Sequence, residues 1–239
     1  MKYANEQALP FTLDGMRLGA RLALPMAASV MAFAFAFGVV AATKGLTFLE
    51  AVAMSVLVYA GTSQVAALEV WQHPLPWLTI LTATAAINAR MALMGATAYP
   101  YLRGIGPLRL IPTLALMADG NWAVSIANWR QGVGDAALML GCGCTMFVCW
   151  SSGTALGHAF GGFISDPKAF GLDIMIAAFI LATLPGLWRS KADIVPWGVA
   201  AASALLAREF LPGHLYVVVG GLLGSLSVLL VTERGDADA

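Results

Sequence analysis

Residues 26–42 read MAASVMAFAFAFGVVAA, a stretch that is apolar on every face of a helix and carries no charge. A helix without a polar face is either buried in a large core or crosses a membrane. A hydrocarbon layer about 30 Å thick takes roughly 20 apolar residues in one helix, whereas a barrel strand alternates lipid-facing and lumen-facing residues. That alternation is absent here, so the stretch predicts a transmembrane helix.

The same pattern recurs along the chain. Of its 239 residues, 59% are hydrophobic and 11% are charged, against roughly 25% charged in a soluble domain. The apolar segments cover residues 18–43, 47–70, 75–99, 109–130, 135–161, 171–188, 193–210 and 213–232. We predict an all-α, polytopic transmembrane helical bundle of seven or eight spans. Its expected parts are a cytoplasmic N-terminal segment (1–17), the transmembrane bundle (18–232) and a polar C-terminal tail (233–239).

The charged residues and the cysteines exclude several classes of function. The 13 basic and 13 acidic residues form no basic run, which argues against nucleic acid as a partner. Cys142, Cys144 and Cys149 lie in one apolar segment and are expected to act as small hydrophobes, so we expect no metal and no cofactor. We find no grouping of nucleophile, base and orienting residue, and we therefore do not expect an enzyme.

The N-terminal stretch predicts the location of the protein. It lacks a short apolar region followed by a small-residue cleavage site, so we expect the first span to be retained. A small excess of lysine and arginine in alternate connections favours a cytoplasmic N-terminus. The lack of an organelle-type targeting pattern fits a bacterial inner membrane.

A few charged and polar residues lie inside the apolar segments. A charged side chain at the bilayer centre costs from about 2.5 kcal/mol upward, so it must face a cavity or a partner. Arg90 lies midway along the third segment with Asn88 beside it, Asp119 lies in the middle of the fourth, and Asp173 opens the sixth. Asp173 has an alternative interpretation, because an acid in the first turn of a helix is stabilised by the helix dipole.

The fourth segment also carries a polar stripe. Pro112 and Gly120 are expected to weaken this helix. Spacings of four and three residues place the stripe on one face, which we interpret as the wet face: Asn121, Ser125 and Asn128. We expect Trp129 to anchor the segment at the membrane interface.

The second segment is interrupted by the polar cluster Gly61, Thr62, Ser63 and Gln64, which follows Tyr59. The cluster predicts a broken helix. At such a break, free backbone N–H groups at the positive end of a half-helix can hold a substrate carboxylate. The alternative is an intact helix whose hydroxyl groups bond to its own carbonyls.

Glycines at four-residue spacing recur in two segments, as Gly153, Gly157 and Gly161 and as Gly220 and Gly224. Small residues at this spacing allow helices to approach closely. We favour packing within the chain, and contact with a second copy in a homo-oligomer is the alternative.

Several motifs in order along the chain resemble the AzlC family, the large subunit of bacterial branched-chain amino acid exporters. The likeness runs nearly end to end and rests on Leu24-Pro25, Phe37-Gly38, Gly45-Leu46, Tyr59 to Gln64, Asn88-Ala89-Arg90, Asp119 with Trp122, Trp150 with Gly153 and Gly157, and Phe170 to Asp173. The resemblance implies a small AzlD-type membrane partner and export of valine, leucine, isoleucine or methionine. The family commonly has alanine where Thr62 stands, so the side-chain preference of this chain stays open.

These observations lead to a hypothesis of secondary-active export, with protons as the expected coupling ion. In it, the substrate-binding residues are Gly61, Thr62, Ser63, Gln64, Asn88, Asp119, Trp122 and Asp173. The broken second segment binds the carboxylate, Asp119 or Asp173 takes the ammonium group, and Arg90 balances the empty acidic site. The alternatives are a channel or transporter for another small amphipathic solute, and a membrane scaffold subunit that transports nothing.

Overall fold

The computed structural model describes residues 9–161, 163, 191–210 and 215–235. Every regular element in these ranges is helical, which confirms the all-α prediction there. The helices are α1 (Leu13–Thr43), α2 (Phe48–Leu57), α3 (Gly61–Glu69), α4 (Trp77–Leu102), α5 (Pro107–Ala115), α6 (Asp119–Arg130), α7 (Ala137–Gly161), α8 (Ile194–Phe210) and α9 (Leu215–Gly235). A short 3₁₀ helix, Lys191–Asp193, precedes α8.

Three of the described helices, α1, α4 and α7, are long and apolar enough to cross a membrane. Two shorter apolar stretches, Phe48–Leu57 and Val219–Val228, accompany them. The predicted segment 171–188, which contains Asp173, lies outside the described residues. The described part is therefore a helical membrane protein.

Two of the predicted segments are each divided into two half-helices. Segment 47–70 forms α2 and α3, separated by residues 58–60, which confirms the predicted break in the second helix. Segment 109–130 forms α5 and α6, separated by residues 116–118. Pro112 lies within α5, and the break follows it by one helical turn. The fourth segment is thus interrupted as well as weakened.

The tightest contact among the described helices joins α1 to α7, and glycines make it possible. A Cβ at Gly19 would overlap the Leu138 carbonyl, one at Gly141 would overlap the Met16 carbonyl, and one at Gly157 would overlap the Phe35 carbonyl. Residue numbers increase together along the two helices, so α1 and α7 run parallel. Their backbones lie in direct contact over most of their length.

One carboxylate organises the start of both helices. The Thr12 hydroxyl donates a hydrogen bond to the carboxylate of Asp135 and accepts one from the Gly15 N–H at 3.0 Å. The same carboxylate accepts the Ala137 N–H at 2.8 Å. Asp135 therefore caps the first turn of α7 and holds the capping residue of α1, so the two helices begin at the same level.

The second glycine stripe packs in the same way. A Cβ at Gly220 would lie 2.8 Å from the Ala200 carbonyl oxygen, and one at Gly224 would lie 2.7 Å from the Ala200 Cβ. Gly153 and Gly161 face Ala34 and Ala42 of α1. Both glycine stripes therefore pack within the chain, as we predicted.

A single added methyl group should test the α1–α7 contact. Gly157→Ala is expected to lower the free energy of unfolding by about 1–3 kcal/mol, because the Cβ overlaps backbone that cannot move aside. Gly198→Ala in α8 is the matched control, since a Cβ there meets nothing within 4 Å. Thermal unfolding of the purified proteins in detergent compares the two, and equal melting temperatures would contradict this packing.

Candidate functional site

The first turn of α3 is built differently from that of α2, the other half of the same segment. The chain turns at Tyr59, which has a φ of +44°, and Ala60 then begins the helix without a side-chain cap. The first hydrogen bond within α3 runs from the Gln64 N–H to the Ala60 carbonyl at 2.9 Å. The N–H groups of residues 61–63 therefore have no acceptor within the helix. By contrast, α2 begins with a capping box formed by Thr47 and Glu50.

Trp150 of α7 forms the wall of this turn. A Cβ at Gly61 would lie 2.7 Å from the indole ring of Trp150, so only glycine allows this approach. The indole is held by aromatic neighbours on α1, stacking on Phe37 at 5.8 Å and meeting Phe33 edge-on at 5.3 Å. The position of the α3 turn is therefore fixed from the α7 side.

Helix α4 brings two polar side chains to the same turn. The Asn88 amide donates to the Ser63 hydroxyl at 3.3 Å, and Arg90 Nη2 donates to the Thr62 hydroxyl at 3.0 Å. Asn88 and Arg90 thus have different partners, although those partners are adjacent in the chain. The Thr62 hydroxyl accepts this hydrogen bond from the guanidinium. The family that the chain resembles commonly has alanine at this position, which has no hydroxyl.

Arg90 also forms an ion pair across the site. Its Nη2 lies 2.9 Å from the Asp119 carboxylate, at the first residue of α6. One nitrogen therefore links the N-terminal ends of two half-helices, α3 and α6. The two side chains are 40% and 54% exposed, so the pair lies on an open side of the described structure.

Charge is arranged locally at this junction. The N-terminus of α3 is equivalent to roughly half a positive charge, and the guanidinium of Arg90 lies beside it, paired with the Asp119 carboxylate. An anionic group would be stabilised at the start of α3 itself, where the N–H groups of the first turn lie.

The break before α6 is closed by Asn121. Its side-chain oxygen accepts the Ala118 N–H at 2.7 Å, and its amide group donates to the carbonyls of Leu116 at 2.7 Å and Met139 at 3.4 Å. Asn121 and Ser125 are fully buried. Our interpretation of this stripe as a wet face was wrong, because Asn121 satisfies the backbone groups that the break exposes and Ser125 bonds to the Asn121 carbonyl.

The two tryptophans of α6 both bond to protein groups. The Trp122 indole N–H donates to the Met94 carbonyl at 3.1 Å and to the Thr97 hydroxyl at 3.0 Å, beyond Arg90 along α4. Its N–H is therefore engaged away from the α3 turn. Trp129 was wrongly predicted to be an interfacial anchor, since it is buried, donates to the Asp135 carbonyl at 2.8 Å and stacks on Tyr101.

Five buried side-chain polar atoms have no hydrogen-bond partner among the described residues, and the first four lie at the α3 turn: Gln64 Oε1, Asn88 Oδ1, Arg90 Nε, Trp150 Nε1 and Ser151 Oγ. Gln64 lies on the turn, Asn88 and Arg90 bond to it, and Trp150 lies against Gly61. Each buried polar group without a partner costs about 1–3 kcal/mol, so a group that supplied partners here would be bound favourably.

The structure adds two residues that the sequence did not reveal. The Gln64 amide donates to the Ser55 hydroxyl at 3.3 Å, and Ser55 shares a 2.8 Å hydrogen bond with Thr154 of α7. All three side chains are fully buried. Ser55 is a single hydroxyl inside an apolar run, Thr154 follows Ser151 and Ser152, and no spacing in the sequence connects Ser55 with Thr154.

We call the set Gly61, Thr62, Ser63, Gln64, Asn88, Arg90, Asp119 and Trp150 the α3 site. A model of the AzlC protein family matches residues 25–164, which contain all of it. The chain belongs to the AzlC family. Family membership confirms the resemblance drawn from the sequence motifs.

Similar proteins extend over most of the chain. The Branched-chain amino acid transport protein AzlC of Bacillus subtilis (strain 168) is 22% identical over 216 residues, 88% of this chain and 82% of that protein. The Inner membrane protein YgaZ of Escherichia coli (strain K12) is 27% identical over 230 residues, 89% of each chain. An uncharacterized membrane protein of Archaeoglobus fulgidus is 25% identical over 205 residues, 82% of this chain and 85% of that protein. No solved structure matches the chain.

These matches and the apolar helices identify a membrane protein with a function in transport. The α3 site is the part of the described structure where polar chemistry is concentrated within the apolar helices.

A double-mutant cycle should measure the link across the site. We expect Arg90→Ala and Asp119→Asn each to destabilise the protein, and the double variant to lose less than their sum, with a coupling energy of about 0.5–3 kcal/mol. The matched control is the exposed pair Arg17 and Asp14, whose atoms are 3.2 Å apart, where the same two changes should couple by less than about 0.5 kcal/mol. Thermal unfolding in detergent gives all values, and additive losses at Arg90 and Asp119 would rule out a direct pair.

Proposed function

We propose that the chain is the large subunit of a secondary-active exporter of small apolar amino acids. The expected substrates are valine, leucine and isoleucine, with methionine as a further candidate. The family match and the Bacillus subtilis relative, a branched-chain amino acid transport protein, support this proposal. A small AzlD-type membrane protein is the proposed partner, as the family resemblance implies.

The observation that carries the proposal is the positive start of α3 beside the Arg90–Asp119 pair, together with the unsatisfied polar atoms there. A zwitterionic amino acid supplies a carboxylate for the start of α3 and an ammonium group for Asp119. Its carboxylate would accept hydrogen bonds from the N–H groups at the start of α3 and from Arg90. Its ammonium group would take the place of the guanidinium at Asp119.

Binding in this way exchanges partners without creating an unpaired charge. Before binding, Arg90 and Asp119 neutralise each other at 2.9 Å. In the complex, Arg90 faces the substrate carboxylate and Asp119 faces the substrate ammonium group. Because α3 and α6 both begin at this pair, the exchange would separate the start of α3 from the start of α6.

Protons are the proposed coupling ion. A proton on Asp119 would remove the charge that holds both the ammonium group and Arg90, so protonation and substrate release would be linked. Asp173, which lies outside the described residues, is the second proposed acid. Trp122 would contribute its ring rather than its N–H, since the N–H is already bonded to α4.

The parallel arrangement of α1 and α7 supports a definite count of spans. Parallel helices in a membrane need an odd number of crossings between them, and the two broken segments with α4 supply three. We propose five crossings up to residue 161, two more by α8 and α9, and an eighth by residues 171–188. The proposed location is a bacterial inner membrane with a cytoplasmic N-terminus.

The first experiment is efflux of preloaded branched-chain amino acids and methionine from cells. It is done with this chain alone, with its small partner, and with an uncoupler. Uphill export that needs both chains and stops with the uncoupler supports a proton-driven exporter. Flux that only equilibrates the solute would instead indicate a channel, and no flux with either chain set would refute amino-acid export.

Asp119→Asn should abolish uphill export, because the amide can neither pair with an ammonium group nor carry the exchangeable charge. Asp14→Asn is the matched control, since that carboxylate is 90% exposed at the start of α1 and pairs with its neighbour Arg17 in the described part of the chain. Membrane insertion and expression of both variants are checked by detection of a C-terminal tag. Normal export by Asp119→Asn would remove Asp119 from the mechanism.

A further inference from the structure

The break between α2 and α3 has a second end, which the amino-acid site does not use. The last hydrogen bond of α2 joins the Val58 N–H to the Met54 carbonyl at 3.0 Å. The carbonyls of residues 55–57 come after it and have no donor within the helix. No hydrogen bond from the described side chains ends on these carbonyls. They form the negative end of a half-helix inside an apolar segment.

The corresponding end at the other break is closed by the protein itself. There Asn121 donates its amide group to the Leu116 carbonyl at 2.7 Å, just after the end of α5. The residue at the comparable place in α3 is Ser63, whose hydroxyl donates to the Ala60 carbonyl at 2.9 Å, and the amide of the next residue, Gln64, donates to Ser55 Oγ. The α2 end is therefore left with carbonyls that no side-chain amide covers.

Three buried polar side chains lie close to this break. Ser55, Thr154 and Gln64 are fully buried and joined in a chain, and Gln64 Oε1 has no partner among the described residues. A half-turn of the Gln64 amide would bring Oε1 to the place of Nε2, which is 3.3 Å from Ser55 Oγ. In that orientation the side-chain oxygens of Gln64, Ser55 and Thr154 lie next to one another in a buried place.

We propose that this place is a binding site for a small monovalent cation, of the size of sodium. Its ligands are Gln64 Oε1, the hydroxyl oxygens of Ser55 and Thr154, and the free carbonyls at the end of α2. A cation would satisfy the unpartnered Gln64 oxygen together with its neighbouring hydroxyl oxygens, and the negative helix end would stabilise its charge, as interrupted helices in transporters do for sodium. The site joins α2, α3 and α7, so an ion there would fix the position of the α3 turn.

This inference shares Gln64 with the proposed amino-acid site but uses neither Arg90, Asp119 nor the N–H groups of α3, so it can be tested apart from the substrate. The test uses the purified full chain without any amino acid. Its thermal unfolding is measured in NaCl, KCl and choline chloride at equal ionic strength, and sodium is then titrated. We expect a saturable rise in melting temperature with sodium that exceeds the rise with the other two salts.

Two variants locate the site. Thr154→Val keeps the shape of the side chain and removes one ligand oxygen, and it should weaken the apparent sodium affinity at least about tenfold, the equivalent of one lost polar contact. Ser55→Ala should do the same and serves if Thr154→Val does not fold. Thr145→Val is the matched control on α7, since its hydroxyl bonds to its own helix at the Gly141 carbonyl and should leave the sodium response intact.

Equal melting temperatures in the three salts would overturn the proposal and would indicate that a water molecule or direct side-chain contact fills this place. A sodium response that persists unchanged in both Thr154→Val and Ser55→Ala would also overturn it. If the unmodified chain shows the sodium response but no amino-acid efflux, with or without its small partner, the proposed function is refuted and the cation site is still supported.

Discussion

A helix that is interrupted inside an apolar segment exposes backbone N–H and C=O groups that lipid cannot satisfy, and the centre of this protein is organised by that constraint. The chain meets it twice and in different ways. Before α6, Asn121 bonds to groups on both sides of the break and to α7, so that break is a fixed part of the scaffold. Before α3, the protein supplies a glycine, an aromatic wall and hydroxyl groups but leaves polar atoms unmatched. The fixed break is suited to hold Asp119 in place, and the incomplete break is suited to receive a ligand.

Arginine is better suited than lysine to link the two breaks. Its guanidinium reaches Thr62 and Asp119 through one nitrogen and still carries a buried donor at Nε. A lysine ammonium is a compact point charge, whereas the planar guanidinium presents five donors in a rigid fork and remains protonated under all ordinary conditions. The positive charge is therefore permanent, and any change in the charge of the pair must occur at the carboxylate.

The sequence was informative where a residue was unusual for its surroundings. Arg90 and Asp119 were recognisable because lipid excludes charge, and the second helix break was recognisable because glycine, two hydroxyls and an amide follow one another in an apolar run. The role of Asn121 could not be deduced, because a polar stripe on a helix looks the same whether it faces water or closes a neighbouring break. Trp129 was misplaced for a similar reason, since interfacial and buried tryptophans share one sequence context. Ser55 and Thr154 acquire meaning only when the fold brings them together across 99 residues.

The shared start of α1 and α7 also bears on how the protein is made. The Thr12 backbone and the Asp135 carboxylate that holds it are 123 residues apart in sequence, and ribosomes add roughly 5–20 residues per second. The first helix must therefore wait on the order of 6–25 seconds in the bilayer before α7 exists to cover its glycine face. Its continuous apolar surface lets lipid hold it during that interval, whereas a helix shaped only to fit α7 would not stay inserted. The composition of α1 thus serves biogenesis first and packing afterwards.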